Sequence, residues 1–171
     1  MSSPLELGLH GPQEPAAVGQ PVPIRIEVRN RTDADVWMVG VVDGTEDGVR
    51  CPYYRPAVLF GDVVVAEPPP PEDPLVGPLR RADFRRLGPG ESFDPTAAEE
   101  GAGYHPLATF ATFRPRQPGV YQFTLTLSSQ CPDPDQWLGA FGQNAERDAV
   151  LGLVSRVPQV TVTASVDVQV R

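Results

Sequence analysis

The sequence predicts an all-β fold: an antiparallel β-sandwich with long loop insertions and one short helix in its C-terminal half, folded as a single domain over residues 1–171. Three observations carry the prediction. Apolar residues recur at every second position in several stretches, the period of strands with one face on a core and one in water. The 171 residues include 21 prolines and 16 glycines, well above the usual combined share of ~12 %, and both residues break helix interiors. Apolar residues make up 40 %, enough for a packed core at a length typical of one domain, ~100–200 residues.

The elements follow in order. Leu5, Leu7 and Leu9 alternate with polar or small residues and predict a first strand. Val22, Ile24, Ile26 and Val28 predict a second, with Pro23, Arg25, Glu27 and Arg29 on its outer face. Val36–Val42 is apolar on both faces, which predicts a central strand covered on both sides. Val58–Ala66, Ala82–Leu87 and Leu107–Phe113 are apolar-rich runs of strand length. Tyr121, Phe123, Leu125 and Leu127 alternate with Gln122, Thr124 and Thr126. In the last strand Val160, Val162, Ala164, Val166, Val168 and Val170 occupy the even positions. One stretch reads as helix, Asn144–Arg156, because Val150, Leu153, Val154 and Val157 keep i, i+3, i+4, i+7 spacing. Asn144 would cap its start, Glu146 and Asp148 would face the positive end of its dipole, and Pro158 follows its end. A shorter turn is expected at Gln136–Phe141.

Residues 43–79, 94–106 and 131–157 read as excursions from the sandwich. The first contains Glu67-Pro-Pro-Pro-Pro-Glu-Asp-Pro74, a polyproline II run that acts as a stiff spacer or docks in an aromatic groove. Three turn patterns punctuate the strands. Val28-Arg-Asn-Arg-Thr-Asp-Ala-Asp-Val36 reads as strand, polar turn, strand. Leu87-Gly-Pro-Gly-Glu-Ser92 reads as strand end, turn, strand start. Gln117-Pro-Gly-Val-Tyr121 is a Pro-Gly turn entering a strand whose first core residue is tyrosine, and it looks like a tyrosine corner, in which the phenol caps the preceding connection. Trp37, on the third strand, is similar to the core tryptophan of immunoglobulin-like domains. The cysteines that family places beside it are missing: Phe123 stands where the second would be, and the second strand offers only Ile24, Ile26 and Val28. Without its excursions the chain approaches the ~100 residues of such a sandwich. The order of the three patterns also resembles the bacterial intracellular proteinase-inhibitor domains, small sandwiches with a strand–Asn–turn opening, a Leu-x-Pro-Gly-Glu-Ser turn and a Pro-Gly-x-Tyr turn. The resemblance implies an immunoglobulin-like fold. It implies a proteinase-inhibitor role only by analogy.

Asp and Glu number 22 against 14 basic residues, a formal charge of -8. That sign repels phosphate backbones, so no nucleic-acid partner is expected. Every basic residue is arginine, which excludes Schiff-base and lysine-nucleophile chemistry. No apolar run approaches the ~20 residues of a membrane span, so no membrane partner is expected. The start, Met-Ser-Ser-Pro-Leu-Glu-Leu, has neither a basic n-region nor an apolar h-region, and a cytoplasmic location is the expectation. In that compartment Cys51 and Cys131, each followed by proline, are expected as free thiols. A bridge between them also meets a topological objection. The third and sixth strands of a sandwich are antiparallel, and cysteines following the end of each would lie roughly 20 Å apart, against the ~6 Å between Cα atoms that a disulfide needs. An excursion after Asp43 that folds back would remove the objection. Asn30-Arg31-Thr32 matches a glycosylation sequon but is read as a plain turn.

Constellations that carry chemistry are few, and no catalytic residue, metal site or cofactor is assigned. Cys51 or Cys131 with His105 has the residue types of a thiol nucleophile and its base. With His10 added, the types suit zinc, but paired C-x-x-C or H-x-x-x-H spacing is absent. Asp43-Gly-Thr-Glu-Asp47-Gly48 opens like a calcium loop. Position 12 is Tyr54 in place of the bidentate glutamate, so the segment reads as a tight acidic turn. Arg80-Arg81-Ala-Asp-Phe-Arg85-Arg86 is the one basic cluster; Asp83 inside it favours a solvated surface of internal ion pairs over a grip on an acidic partner. Tyr53, Tyr54, Phe60, Tyr104, Trp137 and Phe141 lie in or near the excursions, where aromatics form a mini-core under the loops or serve as contact anchors. The expected function is a non-catalytic module that binds another protein. Tyr53, Tyr54, Arg55, Arg81, Arg85, Tyr104, Trp137 and Phe141 are the candidate contact residues, and a proteinase-inhibitor role is the sharpest version. The alternatives are a thiol-dependent or metal-assisted hydrolase using Cys51, Cys131 and His105, and a structural subunit assembling through an exposed edge strand. The oligomeric state is left open.

Overall fold

The computed structural model describes residues 2–71, 75–97, 103–139 and 145–171. The period-two segments form strands, though Val22 and Ile24 of the second pattern precede its strand. β1 (Leu5–His10) buries Leu5, Leu7 and Leu9, and β2 (Arg25–Asn30) buries Ile26 and Val28. β3 (Val36–Val39), β4 (Tyr53–Phe60), β5 (Val63–Ala66), β6 (Phe84–Leu87) and the two-residue β7 (Ser92–Phe93) follow. β8 (Gly119–Ser128) buries Tyr121, Phe123, Leu125 and Leu127. β9 (Thr161–Val170) turns its even residues inward and leaves every odd one exposed. One sheet has the order β1-β2-β7, a second has β5-β4-β8-β9, and β3 pairs with β6 as a separate ribbon. All these pairings are antiparallel. The inner faces of both sheets share one apolar core, so the fold is an antiparallel β-sandwich. After β1 the chain crosses over, and Ala16 pairs in parallel with Val170 of the second sheet.

Asn30 ties two of the turn patterns together. It is fully buried. Its Nδ2 lies within hydrogen-bond distance of the carbonyl oxygens of Ala34 (2.7 Å), Leu87 (3.0 Å) and Gly88 (3.1 Å). Its Oδ1 accepts from the backbone N–H and the hydroxyl of Thr32. The strand–turn–strand at 28–36 and the Gly-Pro-Gly turn at 88–90 are thus joined through one side chain, which supplies partners that buried backbone groups require. The tyrosine corner is also present: the Tyr121 hydroxyl donates to the Gln117 carbonyl at 2.9 Å.

Several elements differ from the sequence expectation. Leu107–Phe113 is not a strand; Ala108–Thr112 is a helix, α1. A short run that buries Leu107 and Phe110 suits either period, and a distant carboxylate described below decides for helix. Apart from Trp37, Val36–Val42 is buried without being central in a sheet, since among the described residues β3 has β6 as its only strand partner. Trp37 is half-buried on β3, and the fully buried tryptophan is Trp137, on the short helix α2 (Asp135–Leu138). Ala82–Leu87 divides into a 3₁₀ turn, Arg81–Asp83, and β6. The excursion at 43–79 contains β4 and β5, half of the second sheet. The helix expected at Asn144–Arg156 is α3 (Arg147–Val154), and its expected cap, Asn144, lies outside the described residues.

Cys51 and Cys131 are joined in a disulfide, with Cα atoms 6.5 Å apart. This overturns the expectation of free thiols. The topological objection fails because β4 begins at Tyr53, earlier than the valine run suggests. Cys51 therefore precedes β4 instead of trailing the third strand. Antiparallel pairing of Tyr53 with Ser128 then brings both cysteines to one end of the sheet. Pro56 had concealed that start, since proline reads against a sheet interior. It is tolerated because β5 pairs only with Val58–Phe60, leaving β4 a single neighbour at Pro56.

Candidate functional site at the open edge of the sandwich

β5 is the last strand of its sheet, and Val63, Val64 and Val65 are 62 %, 48 % and 43 % exposed. Beside it the sandwich gapes. A groove of about 680 Å³ runs between β5 and the connection from α1 to β8. Phe60 at the end of β4, Tyr121 near the start of β8 and Phe113 just after α1 make its aromatic floor. Ring centroids lie 4.7 Å apart for Phe60 and Tyr121 and 5.6 Å apart for Phe113 and Tyr121. Gly119 makes room for Phe60: a Cβ there would come 2.6 Å from the phenyl ring, and its φ of +141° disfavours any side chain. The tyrosine corner anchors the wall at Gln117. Thr109 and Thr112 line the α1 side, and Arg114, Arg116 and Glu67 stand at the rim. Arg114 donates through Nη1 to the carbonyls of Ala111 and Phe113, both at 2.9 Å. That holds its charge at the negative end of α1.

α1 is itself held from a distance. The Glu46 carboxylate accepts from the backbone N–H groups of Ala108 and Thr109, both at 2.8 Å, and from the Thr109 hydroxyl at 2.6 Å. A carboxylate on the free N–H groups of a helix start is favoured by charge and by hydrogen bonding together. A second groove, about 390 Å³, adjoins the first and is lined in part by Asp43, Asp47, Pro68, Pro69 and His105. Its acidic turn is satisfied internally: Thr45 Oγ1 donates to the Val42 carbonyl, and Asp47 accepts from the Val49 N–H. Among the described residues, no group of three or more His, Cys, Asp and Glu side chains is arranged to hold a metal ion.

Among the described residues, the candidate contact residues named from the sequence do not line the open groove. Tyr54, Tyr104 and Trp137 are core side chains and offer no ring to a partner. Tyr54 is fully buried and donates to the Val39 carbonyl at 2.8 Å; Tyr104 donates to the Asp83 carbonyl at 3.2 Å; Trp137 Nε1 donates to the Cys131 carbonyl at 3.0 Å. Burial pushes the Tyr54 phenol well above its ordinary pKa and raises that of Tyr104. Tyr53 is half-buried against the core and Arg55 is exposed. Arg81 is exposed, and its backbone N–H donates to Glu146 at 3.1 Å. Arg85 places its guanidinium 5.5 Å from the Phe93 ring centroid. Phe141 lies outside the described residues.

The arginine cluster disperses into pairs: Arg80 with Asp83 at 3.0 Å and Arg86 with Asp35 at 3.2 Å. The hydrogen bond that Arg80 donates to the Asp83 carboxylate raises the Arg80 pKa. On the outer face of β1 and β2, Arg31 pairs with Glu6, while Arg29 and His10 both pair with Glu27. Those two hydrogen bonds, Arg29 first, hold Glu27 below the usual carboxylate range. Arg50, which drew no notice in the sequence, is 3 % exposed, and its Nη2 donates to the Asp43 carbonyl. Burial lowers its pKa against the opposing pull of Asp83 and Asp43.

The thiol-enzyme reading is removed, because both cysteines are locked in one bridge, and with it goes any zinc site that needs their thiolates. Sequence reasoning missed Phe113, Arg114 and Arg116. The usable signal was Phe113-Arg-Pro-Arg116, an aromatic and two arginines around a proline, which reads against a strand interior.

No protein-family profile matches the chain, and none of the curated proteins is similar to it. Among solved structures, the chain is similar to the CARDB domain of the PF1109 protein from Pyrococcus furiosus, crystallised in complex with di-metal ions. That match has 14 % identity, covers 98 % of this chain and 87 % of the other, and has a TM-score of 0.35. The solution NMR structure of the same domain matches at 15 % identity over 99 % and 97 % of the two chains, with a TM-score of 0.34. The fold assignment therefore stands on the strands, registers and shared core of this chain itself.

Proposed function

We propose that this chain is a non-catalytic binding module that holds another protein at the open edge of its sandwich. The observation that carries the reading is the aromatic groove lying against an edge strand whose valines face water. Exposed apolar surface beside a concave, aromatic-floored site is where partners dock. The strong negative charge argues against a nucleic-acid partner. The buried disulfide supports an oxidising compartment over the reducing cytoplasm. Affinity capture from native lysate tests the reading: wild type should retain a partner that Phe113→Asp and Val65→Asp variants, folded by far-UV circular dichroism, release. Retention by all three would end it. A proteinase inhibitor is the finer version, drawn from the three turn patterns. Inactivity against a panel of serine, cysteine and metalloproteases would remove that version and leave the module.

A further inference from the structure

Among the described residues β5 is hydrogen-bonded on one side only, to β4, so its outer side presents backbone N–H and C=O groups unused by the sheet. Natural sheets usually blunt such edges with charge, proline or a covering loop. Here the blunting is confined to the ends, at the Gly61–Asp62 turn and at Pro68 onwards, while Val63–Ala66 carries neither charge nor proline. The adjoining groove supplies an apolar floor and a rim with two arginines against one glutamate, Glu67, in a chain whose net charge is -8. Among the described residues neither Arg114 nor Arg116 is in an ion pair, and Arg114 is already oriented by its two carbonyl contacts. A local positive rim on an acidic molecule selects for carboxylate. A second copy paired through β5 would join two four-residue strands in chains that repel each other.

We propose that β5 accepts an extended acidic peptide segment of the partner as an added strand, its alternate apolar side chains over Phe60, Phe113 and Tyr121 and its carboxylates at Arg114 and Arg116. Strand addition draws affinity from main-chain hydrogen bonds and selectivity from alternate side chains. The proposal rests on the binding-module reading and narrows it to one class of partner.

The test uses the full chain and two fluorescein-labelled octapeptides with blocked ends, one alternating valine with glutamate and one alternating valine with lysine. The glutamate peptide should bind at least about tenfold more tightly at low salt, with the gap closing as salt rises. Amides of residues 63–66 should gain hydrogen-exchange protection on binding. The Arg114→Glu/Arg116→Glu variant, checked for an unchanged far-UV spectrum, should reverse the preference toward the lysine peptide. Equal binding of the two peptides, no protection at 63–66, or an unreversed preference in the charge-swapped variant overturns the proposal. A dimer of the chain alone in sedimentation, abolished by Val64→Arg, would assign the edge to a second copy and overturn it too. If the peptides fail while the groove variants still release a captured partner, strand addition falls and the binding module stands. If the peptides behave as expected while capture shows no dependence on the groove, strand recognition at β5 stands and the reading of the groove as the captured partner's site falls.

Discussion

Removing the Asn30 amide would leave the carbonyls of Ala34, Leu87 and Gly88 and the Thr32 N–H without it in buried or half-buried surroundings. Stranded polar groups of this kind cost about 1–3 kcal/mol each at most, with neighbours sharing the loss. Asn30→Ala should therefore lower unfolding stability by about 2–4 kcal/mol in a urea titration, and a near-neutral result would show that the two turns hold without it. Tyr54 makes a prediction of opposite character. Its phenol is buried neutral, so its pKa is higher folded than unfolded. The associated stability is present in full below the unfolded value of ~10 and is lost as pH climbs beyond it, because only the unfolded chain can ionise there. Tyr104 acts in the same direction. Unfolding midpoints should fall above pH ~10, and the fall should be shallower in Tyr54→Phe; equal slopes would remove Tyr54 as the cause.

α1 shows how an element is chosen from outside its own sequence. Five residues are too few to nucleate a helix alone. The run Leu107–Phe113 reads equally well as a strand. Glu46 reaches across a sequence separation of 62 to satisfy the first N–H groups, and the segment settles as a helix with Phe110 in the core. Glu46→Gln keeps the shape and loses the charge. It should cost about 1–2 kcal/mol and speed amide exchange at Thr109 and nearby α1 residues. Because α1 walls the groove, the same variant should weaken partner capture; unchanged exchange would show that core packing alone holds the helix. The same logic separates β8 and β9 from β4. The first two carry their whole pattern within ten residues each, whereas β4 hides its first half behind Pro52 and Pro56.

Over the whole molecule, the bridge between Cys51 and Cys131 closes a separation of 80 residues and links the loop before β4 to the segment carrying α2. The Cys51 N–H also donates to the Gln136 carbonyl, and Trp137 rests on the Cys131 carbonyl, so the bridge and the mini-core form one unit. Constraint of the unfolded chain by a loop of this size amounts to about 4.5 kcal/mol in the chain-entropy account. The Cys51→Ser/Cys131→Ser variant should lose stability on that order in denaturant, and reduced wild type should match it. A loss below about 1 kcal/mol would mean that the packed aromatics hold the end of the sandwich unaided.

The alternation of apolar and polar residues needs no distant partner to be read, and by itself it determined the sandwich and the inward faces of β1, β2, β8 and β9; the local motif Gln117-Pro-Gly-Val-Tyr121 determined the tyrosine corner, whose two groups lie four residues apart. Tertiary structure alone decided the disulfide, the helical state of α1 and the groove. Each of these depends on register between segments far apart in the chain: Tyr53 opposite Ser128, Glu46 beneath Ala108, Phe60 against Tyr121. Period and composition fix which way a side chain points along its own strand. What it then meets is set by long-range pairing, whose information is spread over the whole chain.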